Sequence, residues 1–112
     1  MKRSIAIPLE NGILSAHFGR CQQFALIETD SKNIVRETFI TSPPHEPGLL
    51  PGWLAEKGVT DVIAGGMGHR AIRLFNDKNI NVFVGAPIKK PKDLANDLLN
   101  NTLSAGANYC DH

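Results

Sequence analysis

Asp61-Val62-Ile63-Ala64-Gly65-Gly66-Met67-Gly68 opens the stretch that decides the fold, and Asn81-Val82-Phe83-Val84-Gly85 closes it. Both flanking runs are short and continuously apolar, as strands are when a parallel sheet is covered on its two faces. Between them Met67, Ala71, Leu74, Phe75 and Lys78 recur with a helical period. Strand, helix and strand in this order make a βαβ unit. Its two strands are expected to run parallel and to be joined by a right-handed crossover.

Working outward from this unit, Ser4 to Pro8 reads as a first strand, with Ile5 and Ile7 at its centre and Pro8 ending it because proline has no ladder donor. Glu10-Asn11-Gly12 makes a turn, after which Ile13 and Leu14 lead into a polar break, Ser15 to Cys21. Phe24–Glu28 and Ile34–Ile40 form an antiparallel pair, with Asp30-Ser31-Lys32-Asn33 as the turn between them. Ser42 to Gly52 carries four of the seven prolines and leads into a helix marked by Leu50, Trp53 and Leu54, which Gly58 stops. Beyond the βαβ unit a last helix runs from Pro91 to about Leu99, with Leu94, Leu98 and Leu99 as its apolar stripe. Residues 101–112 read as a polar tail. The order β-β-β-α-β-α-β-α describes one α/β domain spanning residues 1–112.

A chain of 112 residues can bury one core without a disulfide or metal staple. Its 42% hydrophobic and 21% charged residues are those of an ordinary globule, and no apolar run approaches the ~20 residues that span a bilayer. The amino-terminal apolar run is too short for a secretory signal, so the cytoplasm is expected. Twelve basic against eleven acidic side chains leave no electrostatic footprint for nucleic acid or a membrane surface. In a reducing compartment Cys21 and Cys110 are expected to remain thiols.

His17 and Cys21 stand four residues apart in the polar break, and turn formation demands neither residue type. Metal coordination is one explanation, and chance together with a buried thiol is the other. Topology favours coordination. If the first strand runs parallel to the βαβ strands, its carboxyl end defines an upper edge from which the His17 loop leaves and near which Cys21 begins the second strand. The third strand delivers His45 to the same edge, and the glycine stretch before His69 follows the fourth. Carboxyl ends of strands in open α/β sheets are where ligands bind. Cys110 and His112 can return to that edge, since the nine residues from Asn101 to Cys110 reach roughly 30 Å at ~3.3 Å each, or they can hang free.

The glycine stretch matches neither the dinucleotide fingerprint nor the phosphate-binding loop with its Lys-Ser/Thr. Gly66 and Gly68 do leave backbone N–H groups bare at a helix start, where with Arg70 they could hold an anion, an anionic metal cluster included. Tight strand-to-helix packing is the alternative reason for the glycines.

Three motifs, in this order and across nearly the whole chain, resemble the dinitrogenase iron-molybdenum cofactor biosynthesis family. They are Ser15-x-His17-Phe18-Gly19-Arg20, Leu54-x-x-Lys57-Gly58-Val59-x-Asp61-Val62-Ile63 and Gly65-Gly66-Met67-Gly68-x-Arg70-Ala71. The ending Cys110-Asp111-His112 is similar to that of some members. The resemblance implies a ribonuclease H-like three-layer α/β fold: a five-stranded mixed sheet in the order 3-2-1-4-5 with helices on both faces. It also implies a protein that binds, carries or stores a metal-sulfur cluster rather than a catalyst, with His17 expected to contact the cluster.

Thiolate and imidazole donors suit iron, molybdenum or copper sulfide clusters or zinc, whereas calcium and magnesium want carboxylates that the upper edge is expected to lack. Two cysteines fall short of the four thiolates of a usual iron–sulfur cluster. The expected carrier therefore combines His17, Cys21, His45, His69, Cys110 and His112 as candidate ligands with Arg20, Gly66, Gly68 and Arg70 as outer holders. Its expected partners are cluster donor and acceptor proteins, an ATPase among them, and a second copy sharing one cluster. The alternative is mononuclear zinc on His17, Cys21, Cys110 and His112, used for structure or redox sensing. An enzyme is not expected. A nuclease on such a fold needs clustered carboxylates, yet Asp30 and Asp61 fall near the lower edge, and a Cys21–His17 hydrolase lacks an oxyanion loop or third member.

Overall fold

The structure is a computed structural model that describes residues 2–16, 18, 21–44, 46 and 48–103. Expectations for His17, Arg20, His45, Cys110 and His112 fall outside the described residues. The element order is β1 (Lys2–Glu10), β2 (Ile13–Leu14), β3 (Gln23–Asp30), β4 (Asn33–Thr41), α1 (Leu49–Glu56), β5 (Asp61–Ile63), α2 (His69–Asp77), β6 (Asn81–Phe83) and α3 (Pro91–Leu99). The sheet runs β4-β3-β1-β5-β6, with β2 paired to β1 off that path. Pairing is antiparallel for β1/β3 and β3/β4, and parallel for β1/β5 and β5/β6. Apart from β2 this is the expected 3-2-1-4-5 order, with the βαβ unit where the apolar runs placed it.

Alternation along β1 divides the core in two. Ile5, Ile7 and Leu9 face one side and pack with Leu94, Ala95 and Leu98 of α3. Ala6, with Phe24 and Val62, faces the other, where Leu54 of α1 and Ile72 and Phe75 of α2 cover the sheet. Period-two side-chain direction in a central strand thus produces three layers. On α2 the buried positions are Ile72 and Phe75; Met67 precedes the helix rather than joining its stripe.

Two local expectations need correction. Strand β1 does not stop at Pro8 but continues to Glu10. The Ser4 amide donates toward Thr60, on the β5 side, and the Pro8 carbonyl accepts Ser15 N–H on that same side. Parallel pairing with β5 ends at Ala6↔Val62, so the missing proline donor falls where no β5 acceptor waits. Ile13 and Leu14 form a sixth strand, because Asn11 (φ 57°) and Gly12 (φ 85°) make a two-residue hairpin loop in the left-handed region. At the start of the tail, Thr102 N–H bonds the Asp97 carbonyl, and Leu103 packs on the α3-side core.

Strand β4 is an edge. Val35, 67% exposed, has no partner between the pairs Glu28↔Arg36 and Thr29↔Ile34, which makes it a bulge. Two positions further along the strand, Glu37 is mostly covered and faces Lys92 of α3 at 3.7 Å. A bulge and an inward charge both discourage a further strand from adding to this edge. None of the described helices is long and apolar enough to cross a membrane.

At the lower edge Asp61 is almost fully buried and accepts from Thr60 Oγ1 at 2.7 Å, Asn81 Nδ2 at 2.9 Å and Arg3 Nη1 at 3.2 Å. The carboxylate ties together β1, β5 and β6, a structural task. Asp61→Ala should lower stability by about 2–3 kcal/mol, because three donors lose a buried acceptor at once. Urea unfolding measures this, and a loss below about 1 kcal/mol would show that the network does not hold the strands.

Candidate functional site

The upper edge is assembled from backbone. After β2, Ser15 N–H bonds the Pro8 carbonyl at 2.8 Å, and the chain crosses the end of β5 so that Phe18 N–H reaches the Gly66 carbonyl at 3.2 Å. A Cβ on Gly65 would stand 3.1 Å from the Ser15 carbonyl oxygen and 3.3 Å from Ala16 Cα, and one on Gly66 would stand 3.1 Å from the Ala16 carbonyl oxygen. These two glycines exist for the crossing. Gly68 meets nothing within 4 Å and has ordinary φ, so close packing does not explain it.

Phe18 pins the crossing from below. Its ring is buried edge-on to Phe75 (5.4 Å between centroids) and Phe24 (5.9 Å). Such pairs add about 0.5–1.5 kcal/mol each to the area they bury. Cys21 and Met67 pack on this same apolar cluster. The exit of β6 joins the edge through Gly85 N–H to the Gly65 carbonyl at 3.0 Å, and Leu14 N–H bonds the Lys89 carbonyl at 3.0 Å.

Cys21 sits where the chain enters β3. Gln22 N–H bonds the Leu9 carbonyl on one flank, and Ser42 N–H bonds the Gln22 carbonyl on the other. The half-buried thiol Sγ lies 3.6 Å from Ser42 Oγ. Burial pushes the thiol up from its ordinary pKa; the Ser42 bond and a backbone bond pull it back, and the Glu10 charge pushes it up again. Glu10 corrects the expectation of an edge without carboxylates. It ends β1 on the α1/α2 side of the sheet and accepts Ser15 Oγ at 3.3 Å.

Charge on this side of the edge is set by helix starts. Helices α1 and α2 both begin at the upper edge, with Gly48 and Gly68 as their N-caps, no capping side chain and no acidic residue in the first turn. Each presents roughly half a positive charge there. His69 and Arg70 occupy the exposed first turn of α2. Helix α3, across the sheet, instead has Asp93 in its first turn.

The structure thus brings Cys21, Gly66, Gly68, His69 and Arg70 to one edge. Among the described residues no three His, Cys, Asp or Glu side chains come together. Sequence reasoning missed Glu10, Ser15 and Ser42, and it did not assign Phe18 its anchoring part. The hairpin signal Asn11-Gly12 could have placed Ser15 back against β1, and with it Glu10.

Two measurements test this geometry. Gly66→Ala should cost about 1–3 kcal/mol as the Ala16 carbonyl is forced away, whereas Gly68→Ala should fall within about 0.5 kcal/mol of wild type, its weaker cap offset by a stiffer unfolded chain. Equal losses would show that the crossing is not tight. With Cys110 replaced by serine, Cys21 should react with iodoacetamide more slowly than free cysteine at mildly alkaline pH, because a raised pKa leaves less thiolate. Reaction as fast as free cysteine would contradict the burial.

Residues 1–101 match the family described as dinitrogenase iron-molybdenum cofactor. An uncharacterized protein of Methanocaldococcus jannaschii is 32% identical over 84 residues, covering 70% of this chain and 71% of that protein. The crystal structure of the protein PH0822 superposes with a TM-score of 0.85 at 26% identity, covering all of both chains. The apo form of the orange protein from Desulfovibrio gigas shares the fold, with a TM-score of 0.76 at 18% identity over 95% of this chain and 94% of that one. With nine-tenths of its length matched, the chain belongs to the dinitrogenase iron-molybdenum cofactor family.

Proposed function

We propose that this protein carries or stores a metal-sulfur cluster during cofactor assembly, an iron-molybdenum cofactor-like cluster or another iron, molybdenum or copper sulfide, and that it is not itself a catalyst. The observation that carries the reading is the upper edge: a half-buried thiol beside a tightly closed backbone crossing, with two uncapped helix starts and Arg70 on the same side. Soft sulfur and imidazole donors suit thiophilic metals, and exposed amide N–H groups with a guanidinium suit an anionic cargo. A fold relative that has an apo form supports uptake of something at such a fold.

One described thiol does not make a permanent cluster site. The raised pKa of Cys21 adds to this, because a metal must displace a proton before it gains the sulfur. Weak, reversible holding is what a carrier needs. His17, flanked in the chain by the anchored Ala16 and Phe18, is the imidazole this reading puts first. His45, His69, Cys110, His112 and Arg20 are its further donors. Donor and acceptor proteins, an ATPase and a second copy are the partners the reading assigns, in the cytoplasm.

Anaerobic reconstitution with iron, molybdate or copper together with sulfide should give visible absorption and acid-labile sulfide, and His17→Ala should weaken uptake at least several-fold. Uptake unchanged in His17→Ala overturns His17 as the leading ligand. One zinc per chain without sulfide, in protein from its native host, would replace the carrier with a mononuclear site.

A further inference from the structure

We infer that the lower edge holds a second binding site, which takes a small zwitterion of the amino acid kind, one carboxylate and one ammonium joined by a short carbon chain. It stands apart from the carrier reading: Lys2 and Glu10 are at opposite ends of β1, roughly 26 Å apart at ~3.3 Å per residue.

Down β3 the face toward α1 and α2 changes character. Phe24 and Leu26 pack beneath the helices, whereas Glu28 and Asp30, next in the same alternation, are exposed and stand outside that cluster. Helix α1 ends at Glu56, and Gly58, at φ 80°, turns the chain toward β5, so the helix layer stops before the sheet does. The ledge left below it is a cleft of about 370 Å³, the size of a small-molecule site. Ser4, Gly58 and Thr60 line it, and a Cβ on Gly58 would meet nothing within 4 Å. Val35, set outward by the bulge, adds an apolar wall.

Both signs of charge border this cleft. Glu28 and Arg36 are direct partners on β3 and β4 and pair loosely at 3.6 Å, each more than half exposed. Arg3 also borders the cleft, with its guanidinium given to the buried Asp61. Lys2 and Asp30 are direct partners on β1 and β3, both exposed, yet neither is in an ion pair among the described residues. Cross-strand pairing that serves the sheet itself accounts for Glu28 with Arg36. It leaves one ammonium and one carboxylate unengaged at the mouth. A lone anion entering there would meet the charges of Asp30 and Glu28, and a lone cation those of Lys2 and Arg36. A guest that carries both signs offers its carboxylate to Lys2 and its ammonium to Asp30 at once, each contact a charge-assisted hydrogen bond.

The test titrates the full chain with three probes of matched length and follows the backbone amides by NMR: γ-aminobutyrate carries both charges, butyrate only the negative and butylammonium only the positive. γ-Aminobutyrate should move the Ser4, Gly58 and Thr60 amide signals saturably and bind roughly fivefold tighter than either control, the most that one exposed ion pair adds. Lys2→Gln and Asp30→Asn should each bring its affinity down to that of a control, while urea midpoints stay at the wild-type value because both positions are exposed. Butyrate or butylammonium binding as tightly as γ-aminobutyrate to the wild-type chain overturns the inference, as does the absence of a saturable shift at these amides or unchanged affinity in both variants. The carrier reading, which concerns the other edge, stands or falls separately.

Discussion

The Phe18 amide donating to the Gly66 carbonyl, 3.2 Å away, is the contact on which the upper half of the molecule depends. It joins the loop after β2 to the loop after β5, two segments almost fifty residues apart. It can form only because Gly65 and Gly66 carry no side chain where the Ser15 and Ala16 backbone passes. The Phe18 ring fills the space beneath, between Phe24 and Phe75, so the crossing is held by the apolar cluster that also anchors α1 and α2. Close backbone approach and aromatic burial reinforce each other here. The first gives the loop its position, and the second makes that position costly to leave.

The two edges of the sheet differ in how their polar groups are engaged. At the lower edge Asp61 is buried and accepts from three donors, so that carboxylate is satisfied internally. The upper edge shows the opposite pattern. Helices α1 and α2 start there without capping side chains, Arg70 and His69 are exposed, and a thiol shares its hydrogen bond with a serine. With glycine at the N-cap, each of these starts forgoes about a few tenths of a kcal/mol that a serine or aspartate would supply.

Much of this was legible from residue order. The βαβ unit followed from two apolar runs and a helical period between them, and the strand order from the resemblance to the family. The direction of the strands then predicted that Cys21 and the glycine stretch would share an edge, as they do. What escaped was contact between segments distant in sequence. Nothing near Gly66 announces that Ala16 will lie against it, and Gly68, equally suggestive on paper, has open space instead. Pro8 looked like a strand end because a proline lacks a donor. Only the pairing shows that its nitrogen faces a place where β5 has already stopped.

By itself, the sequence determined the alternation of elements and the division of the core. Ile5 and Ile7 must face away from Ala6, and a helical apolar period between two continuously apolar runs marks strand, helix and strand. These are consequences of local backbone geometry, which adjacent residues settle among themselves. The tertiary structure alone decided which polar groups meet. Ser42 reaches Cys21 across twenty-one positions because β3 and β4 pair in one register, and Ser15 reaches Glu10 because β2 folds back on β1. A polar contact depends on distances of a few tenths of an ångström between separately placed segments. Such distances emerge only once the whole sheet has fixed its registers.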